Sequence, residues 1–139
     1  MNESIFSFTI GRIRKGMRRE FEERAAAWDV TATQYQVLRR LWTGDEVGTL
    51  VLARDTGLDA GTITGVLDRL ESKGLIQRIR SEEDRRAVRI LLTESGRALE
   101  APLRQIILDL NEKALKGLST QQVDLLMSTL AVVQDNLQV

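Results

Sequence analysis

Two short helical segments, joined by a tight turn and followed at once by a change of periodicity, constrain the fold most. The first segment runs from about Thr49 to Thr56 and the second from about Ala60 to Lys73, and a glycine follows each of them. Apolar residues recur at helical spacing in the second segment, which predicts one buried and one polar face. Two helices of this size around a Gly-Leu-Asp turn predict a helix-turn-helix.

The period of the pattern changes after the second helix. Leu75 to Arg80 and Ala87 to Leu92 are short and rich in branched residues, as strands are, and a polar connector joins them. A charged hairpin that follows a helix-turn-helix is called a wing. We therefore predict a mainly α-helical (α+β) winged helix-turn-helix lobe with a small β-hairpin over residues 31–99.

Two further helices are predicted before the helix-turn-helix. The first is predicted from Ser4 to about Trp28, and the second is predicted to begin after Thr33, which has the spacing of a capping box with Gln36. The tripeptide Thr-Gly-Asp at residues 43–45 ends the second helix. Its buried side is predicted to comprise Tyr35, Leu38, Leu41 and Trp42.

A long helix capped by Thr93 and a final helix with its own capping box are predicted after the lobe. The long helix should run to about Gly117 and bend at Pro102. The final helix is too apolar for a monomer of this length to cover, which predicts packing against a second copy. We therefore expect a single domain and a homodimer, with residues 1–30 and 100–139 as dimerisation helices.

The sequence contains neither cysteine nor histidine. This excludes disulfides, thiol nucleophiles, thiol redox switches and the metal sites that depend on either residue, and we expect no metal and no cofactor. Serine, lysine and carboxylate chemistry remains open, but no glycine-rich phosphate loop is present, so an enzyme is disfavoured. The sequence has no apolar run of membrane-span length and no signal-peptide pattern, which indicates a cytoplasmic location and no membrane partner.

Four consecutive pieces of the sequence resemble the multiple-antibiotic-resistance regulator (MarR) family. They are GTIT, DRLESKGLI, an acidic run followed by DRR, and LTESGRAL, and they lie in this order within residues 56–99. The pattern of the flanking helices matches the family along nearly the whole chain. The resemblance implies a dimer with two winged lobes, which represses transcription from near-palindromic double-stranded DNA and releases that DNA when a small-molecule effector binds.

Small residues at the start of the second lobe helix, Gly61, Thr62 and Thr64, are candidate DNA contacts. A threonine hydroxyl can hydrogen-bond a base or a phosphate, and Gly61 allows close approach in the major groove. The same residue types also favour an ordinary helix start, which remains the alternative. Gly65 departs from the family, in which a larger residue is common. It either removes a base contact, with more specificity drawn from DNA shape, or serves close packing.

The resemblance implies that Arg86, the arginine of the family's D-x-R wing, enters the minor groove of the DNA. Asp84 would then orient an arginine, because a free carboxylate there would repel phosphates. Further candidate contacts to the DNA backbone are Arg69, Lys73, Arg78, Arg80 and Arg85. The alternative is a solvated hairpin whose acidic and basic side chains pair with one another.

Arg12, Trp28 and Trp42 are candidates for an effector pocket, which in the family lies between the dimerisation helices and the winged lobe. The alternatives are a solvated basic face for the first helix and core positions for the tryptophans. A net charge of zero, from 20 basic and 20 acidic residues, weakly opposes DNA binding. It keeps open a protein-interaction module built on the same winged helix.

Overall fold

The computed structural model describes residues 3–84 and 87–139. They form α1 (Glu3–Ala25), α2 (Ala32–Trp42), β1 (Val47–Gly48), α3 (Thr49–Thr56), α4 (Ala60–Ser72), β2 (Ile76–Arg80), β3 (Val88–Leu92), α5 (Glu94–Ala98), α6 (Glu100–Leu115) and α7 (Thr120–Leu137). A 3-10 turn at Ala26–Trp28 follows α1. Contacts divide the chain into two compact units, residues 1–107 and residues 108–139. The winged lobe lies within the first unit.

Apolar side chains from α2, α3, α4 and the sheet form the core of the first unit. The fully buried side chains of these elements include Leu38, Leu41, Leu52, Ile63, Leu67, Leu70, Ile76 and Ile90. Burial of each such side chain contributes roughly 1.5–3 kcal/mol to folding. The predicted buried face of α4 is confirmed, so α4 packs on the core by one face and exposes the other.

The predicted hairpin is present, and a third strand joins it. β2 and β3 pair antiparallel, from Ile76 opposite Leu92 to Arg80 opposite Val88. β1 pairs antiparallel with the other edge of β3, so the strand order is β1-β3-β2. The sequence pattern does not predict β1, because two residues are too few to show an alternation.

α2 begins earlier than predicted. Thr31 caps it, since Thr31 Oγ1 accepts the Gln34 backbone N–H and Gln34 Oε1 accepts the Thr31 backbone N–H, both at 3.2 Å. The predicted box of Thr33 and Gln36 is therefore wrong by two positions. Of the side predicted to be buried, Leu38 and Leu41 are buried, and Tyr35 and Trp42 are half-buried.

The single bent helix predicted after Thr93 is in fact two helices. Thr93 caps α5, and its Oγ1 accepts the Gly96 backbone N–H at 3.0 Å. The helix is interrupted at Leu99 and α6 starts at Glu100. Pro102 thus lies in the first turn of α6, where backbone N–H groups have no partner within the helix in any case. Proline here belongs to the start of a helix and does not bend one.

Gly96 lies at a crowded junction between α5 and the segment that follows α4. Gly96 is buried, and a Cβ built on it would lie 2.1 Å from the carbonyl oxygen of Leu75. Trp42 Nε1 donates to the Gly96 oxygen at 2.9 Å, and the Thr93 hydroxyl donates to the Gly74 oxygen at 2.6 Å. Only glycine fits at this position, and the junction ties α2, the end of α4 and the base of the wing together.

The second unit ends in α7, whose residues are all described. Ser119 and Gln122 form the predicted capping box at its start, with bonds of 3.2 and 2.8 Å. None of the residues of α7 is buried. Its exposed apolar side chains include Leu125, Leu126, Met127, Val132 and Leu137. Among the described residues, no helix combines the length and the hydrophobicity needed to traverse a lipid bilayer.

Candidate nucleic-acid interface

The two helices of the predicted helix-turn-helix, α3 and α4, end where the sequence predicts. Gly57 closes α3 in the left-handed region, with φ of 70°, and Asp59 caps α4. At the other end of α4, the Leu75 N–H donates to the Leu70 oxygen at 3.0 Å, which is a Schellman ending at the glycine that follows the helix. Local sequence therefore fixes both ends of α4.

The N-terminal end of α4, residues 59–65, is called the front of α4 below. Its exposed face carries the residues that are predicted to contact bases. Asp59 Oδ1 accepts the Thr62 backbone N–H, and Asp59 Oδ2 accepts the Thr62 hydroxyl, both at 2.8 Å. The Thr64 hydroxyl donates to the Ala60 oxygen at 2.9 Å. The Thr62 backbone bond, and after it the Thr62 hydroxyl bond, lower the pKa of Asp59 from its ordinary 3.8. Gly61, Thr62 and Thr64 are all exposed, so the structure brings them together at one end of one helix.

Gly65 lines a cleft beside this front. The cleft has a volume of about 470 Å³, and its walls come from α1, α2 and α4, including Arg18 of α1 and Arg69 of α4. A Cβ built on Gly65 would meet no atom of the described residues within 4 Å. Close packing within the chain is therefore not the reason for this glycine, and a larger side chain would find space.

Arg80 lies at the end of the wing strand β2. Arg80 is exposed at the last position of β2, and the N–H of the next residue donates to the Ala87 oxygen at 2.9 Å. The backbone oxygen of Asp84 accepts the Ala87 N–H at 2.9 Å. Arg85 and Arg86, on which the minor-groove prediction depends, lie outside the described residues. The orienting role of Asp84 stays a prediction with them.

Arg78, predicted as a phosphate contact, is half-buried and pairs with carboxylates of α4. Its Nη2 lies 2.6 Å from Asp68 Oδ1, and its Nη1 lies 4.0 Å from Glu71 Oε1. Its Nε is buried without a hydrogen-bond partner among the described residues. Two carboxylates of α4 thus pair with this guanidinium, and a contact of Arg78 with the DNA backbone stays a prediction. Arg78 ties β2 of the wing to the exposed face of α4.

Lys73 is also held within the subunit. Its Nζ donates to the backbone oxygen of Asp29 and, at 3.0 Å, to Gln34 Oε1, and it lies 3.4 Å from Asp29 Oδ2. Gln34 is buried, so Lys73 satisfies a polar group in the lobe. Arg69, one turn before Lys73, is exposed on the cleft. Of these two predicted backbone contacts, Arg69 is the better placed.

The three predicted effector-pocket residues occupy separate surroundings. The Arg12 guanidinium lies 5.8 Å from the ring centre of Phe8 on α1, and Trp28 is 39% exposed in the 3-10 turn. The helical rise separates Arg12 from Trp28 by roughly 20 Å, too far for one small ligand to contact both in a single chain. Trp42 packs edge-on against Tyr35, with ring centroids 6.0 Å apart. The structure does not bring these three together.

Sequence reasoning undervalued two aspartates. It gave Asp59 no role beyond an ordinary helix start, although an Asp-x-x-Thr spacing signals that a capping aspartate can bind both groups of Thr62. It missed Asp45, whose Oδ2 accepts the Leu92 N–H at 2.9 Å and lies 2.7 Å from an Arg97 nitrogen. Asp45 fixes the base of the wing, and no local pattern reveals it because both partners are distant in sequence.

The sequence matches known regulators of transcription. The family model for MarR matches residues 30–88. The transcriptional regulator SarZ of Staphylococcus haemolyticus is 38% identical over 78 residues, which cover 56% of this chain and 53% of SarZ. The organic hydroperoxide resistance transcriptional regulator of Bacillus subtilis is 35% identical over 98 residues, which cover 70% of this chain and 67% of that protein. The matched part thus spans about half the length of SarZ and two thirds of the Bacillus regulator.

The fold matches solved structures over more of the chain. A mutant MarR from E. coli, solved in complex with operator DNA, superposes with a TM-score of 0.84 and is 29% identical, over 91% of each chain. The likeness thus includes helices on both sides of the lobe. The two sequence relatives are named as transcriptional regulators, and the E. coli protein was solved with operator DNA.

Proposed function

Because the chain belongs to the MarR family, we propose that it is a sequence-specific regulator of transcription that binds double-stranded DNA. It acts in the cytoplasm as a repressor, and a small-molecule effector lowers its affinity for DNA. The ion pair between Arg78 and Asp68 carries this proposal, since it holds the wing strand β2 against the exposed face of α4. We expect one duplex to contact both the front of α4 and the wing.

The front of α4 suits the major groove, which accommodates an α-helix. Gly61, Thr62 and Thr64 would lie nearest the base edges, because they are exposed at the leading end of the helix. Arg69 follows about two turns later on α4 and would contact a phosphate. The helix thus supplies both base contacts and a contact that fixes its position on the backbone.

The wing suits the adjacent minor groove. Arg86 would enter that groove, where narrow A·T-rich DNA attracts a guanidinium, with Asp84 orienting an arginine of the wing. Arg80 and Arg85 would bind phosphates on either side. The exposure of Arg80 at the end of β2 supports this arrangement.

Two copies of the chain bind DNA together in this proposal. Residues 1–30 and 100–139 form the dimerisation helices, and residues 31–99 form the DNA-binding lobe. The exposed apolar side chains of α1 and α7 support the assignment, because a monomer would leave them in water. Two-fold symmetry then predicts a near-palindromic operator with half-sites about one helical turn, or a multiple of it, apart.

The cleft beside Gly65 supports the effector response. It lies between α1, one of the proposed dimerisation helices, and α4 of the lobe. Its volume of about 470 Å³ suits a small molecule, and its walls carry Arg18 and Arg69 together with Glu22, which lies 3.4 Å from Arg18. A ligand there would contact Arg69 directly and would therefore compete with DNA for α4.

Replacement of Arg86 tests the proposed interface. Arg86→Ala should weaken operator binding by roughly 10- to 100-fold, and the wild-type protein should bind with a steep salt dependence. Binding is measured by fluorescence anisotropy on the DNA upstream of the gene, at several salt concentrations. Arg104→Ala, at an arginine of α6 whose side chain is 72% exposed, is the matched control and should leave affinity unchanged.

The dimer and its melting temperature should be the same in both variants. Unaltered affinity in Arg86→Ala would remove Arg86 from the interface. A wild-type chain that binds no duplex in a salt-sensitive manner, neither its own upstream DNA nor any member of a random library, would contradict the proposal and favour a protein-interaction module.

A further inference from the structure

Both threonines at the front of α4 use their hydroxyl protons inside the chain. The Thr62 hydroxyl lies 2.8 Å from Asp59 Oδ2, and the Thr64 hydroxyl lies 2.9 Å from the Ala60 carbonyl oxygen. A carboxylate and a carbonyl can only accept, so the threonine supplies the proton in each case. A hydroxyl has one proton and two lone pairs. Each threonine therefore retains acceptor capacity only.

The ionised state of Asp59 fixes the direction of the Thr62 bond. The pKa of Asp59 is lowered from 3.8, first by the Thr62 backbone N–H and then by the Thr62 hydroxyl, so near neutral pH the carboxylate carries no proton to donate. The remaining lone pairs of Thr62 are accessible, because this residue is exposed. The same holds for Thr64.

The edges of DNA bases divide into donors and acceptors in the major groove. Adenine N6 and cytosine N4 carry amino groups that donate, whereas guanine O6 and N7 and thymine O4 accept. Phosphate oxygens accept as well. Each base pair has one amino group in this groove, on its adenine or its cytosine. An acceptor that faces one strand therefore distinguishes adenine or cytosine on that strand from guanine or thymine.

We propose that Thr62 and Thr64 read DNA only as hydrogen-bond acceptors, and thereby select adenine or cytosine over guanine or thymine at the bases they contact. Asp59 is a positioning residue, because its carboxylate sets the direction of the Thr62 hydrogen bond. The inference rests on the proposed function, since α4 must lie in the major groove. The sequence leaves open whether these hydroxyls bond a base or a phosphate. The inference limits them to the amino groups of adenine and cytosine.

Asp59→Asn reverses the hydrogen-bond polarity of Thr62. Asparagine is as good a helix cap as aspartate, and its carbonyl oxygen keeps the bond from the Thr62 N–H. Its amide nitrogen then donates to the Thr62 hydroxyl, which frees the hydroxyl proton to donate outward. The preference at the base read by Thr62 should shift from adenine or cytosine towards guanine or thymine, by about two- to ten-fold, the contribution of one neutral hydrogen bond.

Base preferences are measured with the full chain, by selecting bound duplexes from a randomised library and sequencing them. Thr62→Val keeps the shape of the side chain without the hydroxyl, and it should abolish the preference whichever residue occupies position 59. The base read by Thr64 is an internal control, because Asp59→Asn leaves the Ala60 carbonyl in place. Asp59→Ser is a second test, since serine caps the helix but releases the Thr62 hydroxyl, which should flatten the preference.

Three results would overturn the inference. One is a wild-type preference for guanine or thymine at the base whose selection depends on Thr62. Another is selection that Thr62→Val does not change, and the third is an unchanged preference in an Asp59 variant shown by circular dichroism to be folded. Failure of the proposed function gives a different result, because the wild-type chain would then enrich no duplex sequence at all.

Discussion

The winged lobe buries its apolar side chains, whereas α7 exposes them. Leu38 and Leu70 of the lobe are fully buried, but Leu125 and Val132 of α7 are 68% and 59% exposed. Helix formation is not the difference, because α2 and α7 both begin with a complete capping box. The lobe arranges its helices and strands around a core of its own, while α7 has an apolar surface that calls for a partner. A hydrophobic stripe therefore specifies a fold in the lobe, whereas in α7 it supports the proposed assembly.

Removal of a core side chain from the lobe should have the largest effect. Leu38→Ala should lower the free energy of unfolding by about 3–5 kcal/mol, because the buried leucine leaves a cavity. Urea denaturation measures the change. Leu50→Ala is the matched control, since Leu50 is 84% exposed on α3, and it should change stability by less than about 0.5 kcal/mol. Similar losses in both variants would contradict a self-contained core.

A charge on the stripe of α7 should act on assembly and leave the lobe folded. Leu126→Glu should raise the dissociation constant of the dimer by roughly 30- to 150-fold, or about 2–3 kcal/mol, because it would bury a carboxylate without a partner. Sedimentation equilibrium measures the constant. Gln121→Glu adds the same charge elsewhere on α7 and should have little effect. A dimer that tolerates Leu126→Glu would exclude this face of α7 from the interface.

Lys73 allows a stability effect to be separated from a DNA effect within the lobe. Lys73→Met should lower the free energy of unfolding by about 1–2 kcal/mol, since it takes a charged donor from buried Gln34. The salt dependence of DNA binding should not change, whereas loss of a phosphate contact would reduce its slope by about one. Titrations at several salt concentrations distinguish the two, and a shallower slope would return Lys73 to the interface.

Gly65 lies where the lobe leaves space for a larger side chain. Gly65→Ala should raise the free energy of unfolding by about 0.5–1 kcal/mol, because alanine favours a helix and its Cβ meets no described atom within 4 Å. Thermal denaturation measures the gain. Gly57→Ala is the contrasting variant and should lower stability, since Gly57 has a φ of 70°. A loss of stability in Gly65→Ala would reveal a packing role.

The smallest effect is expected on stability at acidic pH, through the carboxylate of Asp55. Asp55 lies 2.6 Å from Arg40 Nε and 3.1 Å from Arg54 Nε, and these hydrogen bonds, that of Arg40 first, lower the pKa of Asp55 from 3.8. Its stabilising contribution is therefore present above about pH 4 and is lost as the pH falls through the lowered pKa. Urea denaturation across this range should give a shallower acid slope for Asp55→Asn. An equally steep slope would assign the acid sensitivity to other carboxylates.

The sequence was sufficient for the lobe wherever one local signal decided the structure. Gly57 and Gly74 placed the ends of α3 and α4, and both adopt a positive φ that favours glycine. The spacing of apolar residues along α4 gave its buried face correctly. The winged fold and the two faces of α4 could therefore be predicted without coordinates.

Where two local signals competed, tertiary contacts decided. Thr31 with Gln34 and Thr33 with Gln36 fit the capping box equally well, and only the structure shows that Gln34 meets Lys73 while the Ala32 N–H meets a carboxylate of α1. The same holds for the basic residues of the site. Sequence cannot tell that carboxylates of α4 bind one arginine of β2 while the next arginine of that strand stays exposed, because these partners meet only in the folded lobe.

Substitutions of Gly96 would be misinterpreted in a genetic screen for loss of the proposed repression, because they would disturb the fold. The Cβ of any other amino acid at this position would lie 2.1 Å from the Leu75 carbonyl oxygen. Such a contact would displace α5. Such mutants would score as defective although Gly96 is buried outside the proposed DNA interface. Clones recovered at this codon should therefore be sorted by protease resistance before any of them is used to map a binding footprint.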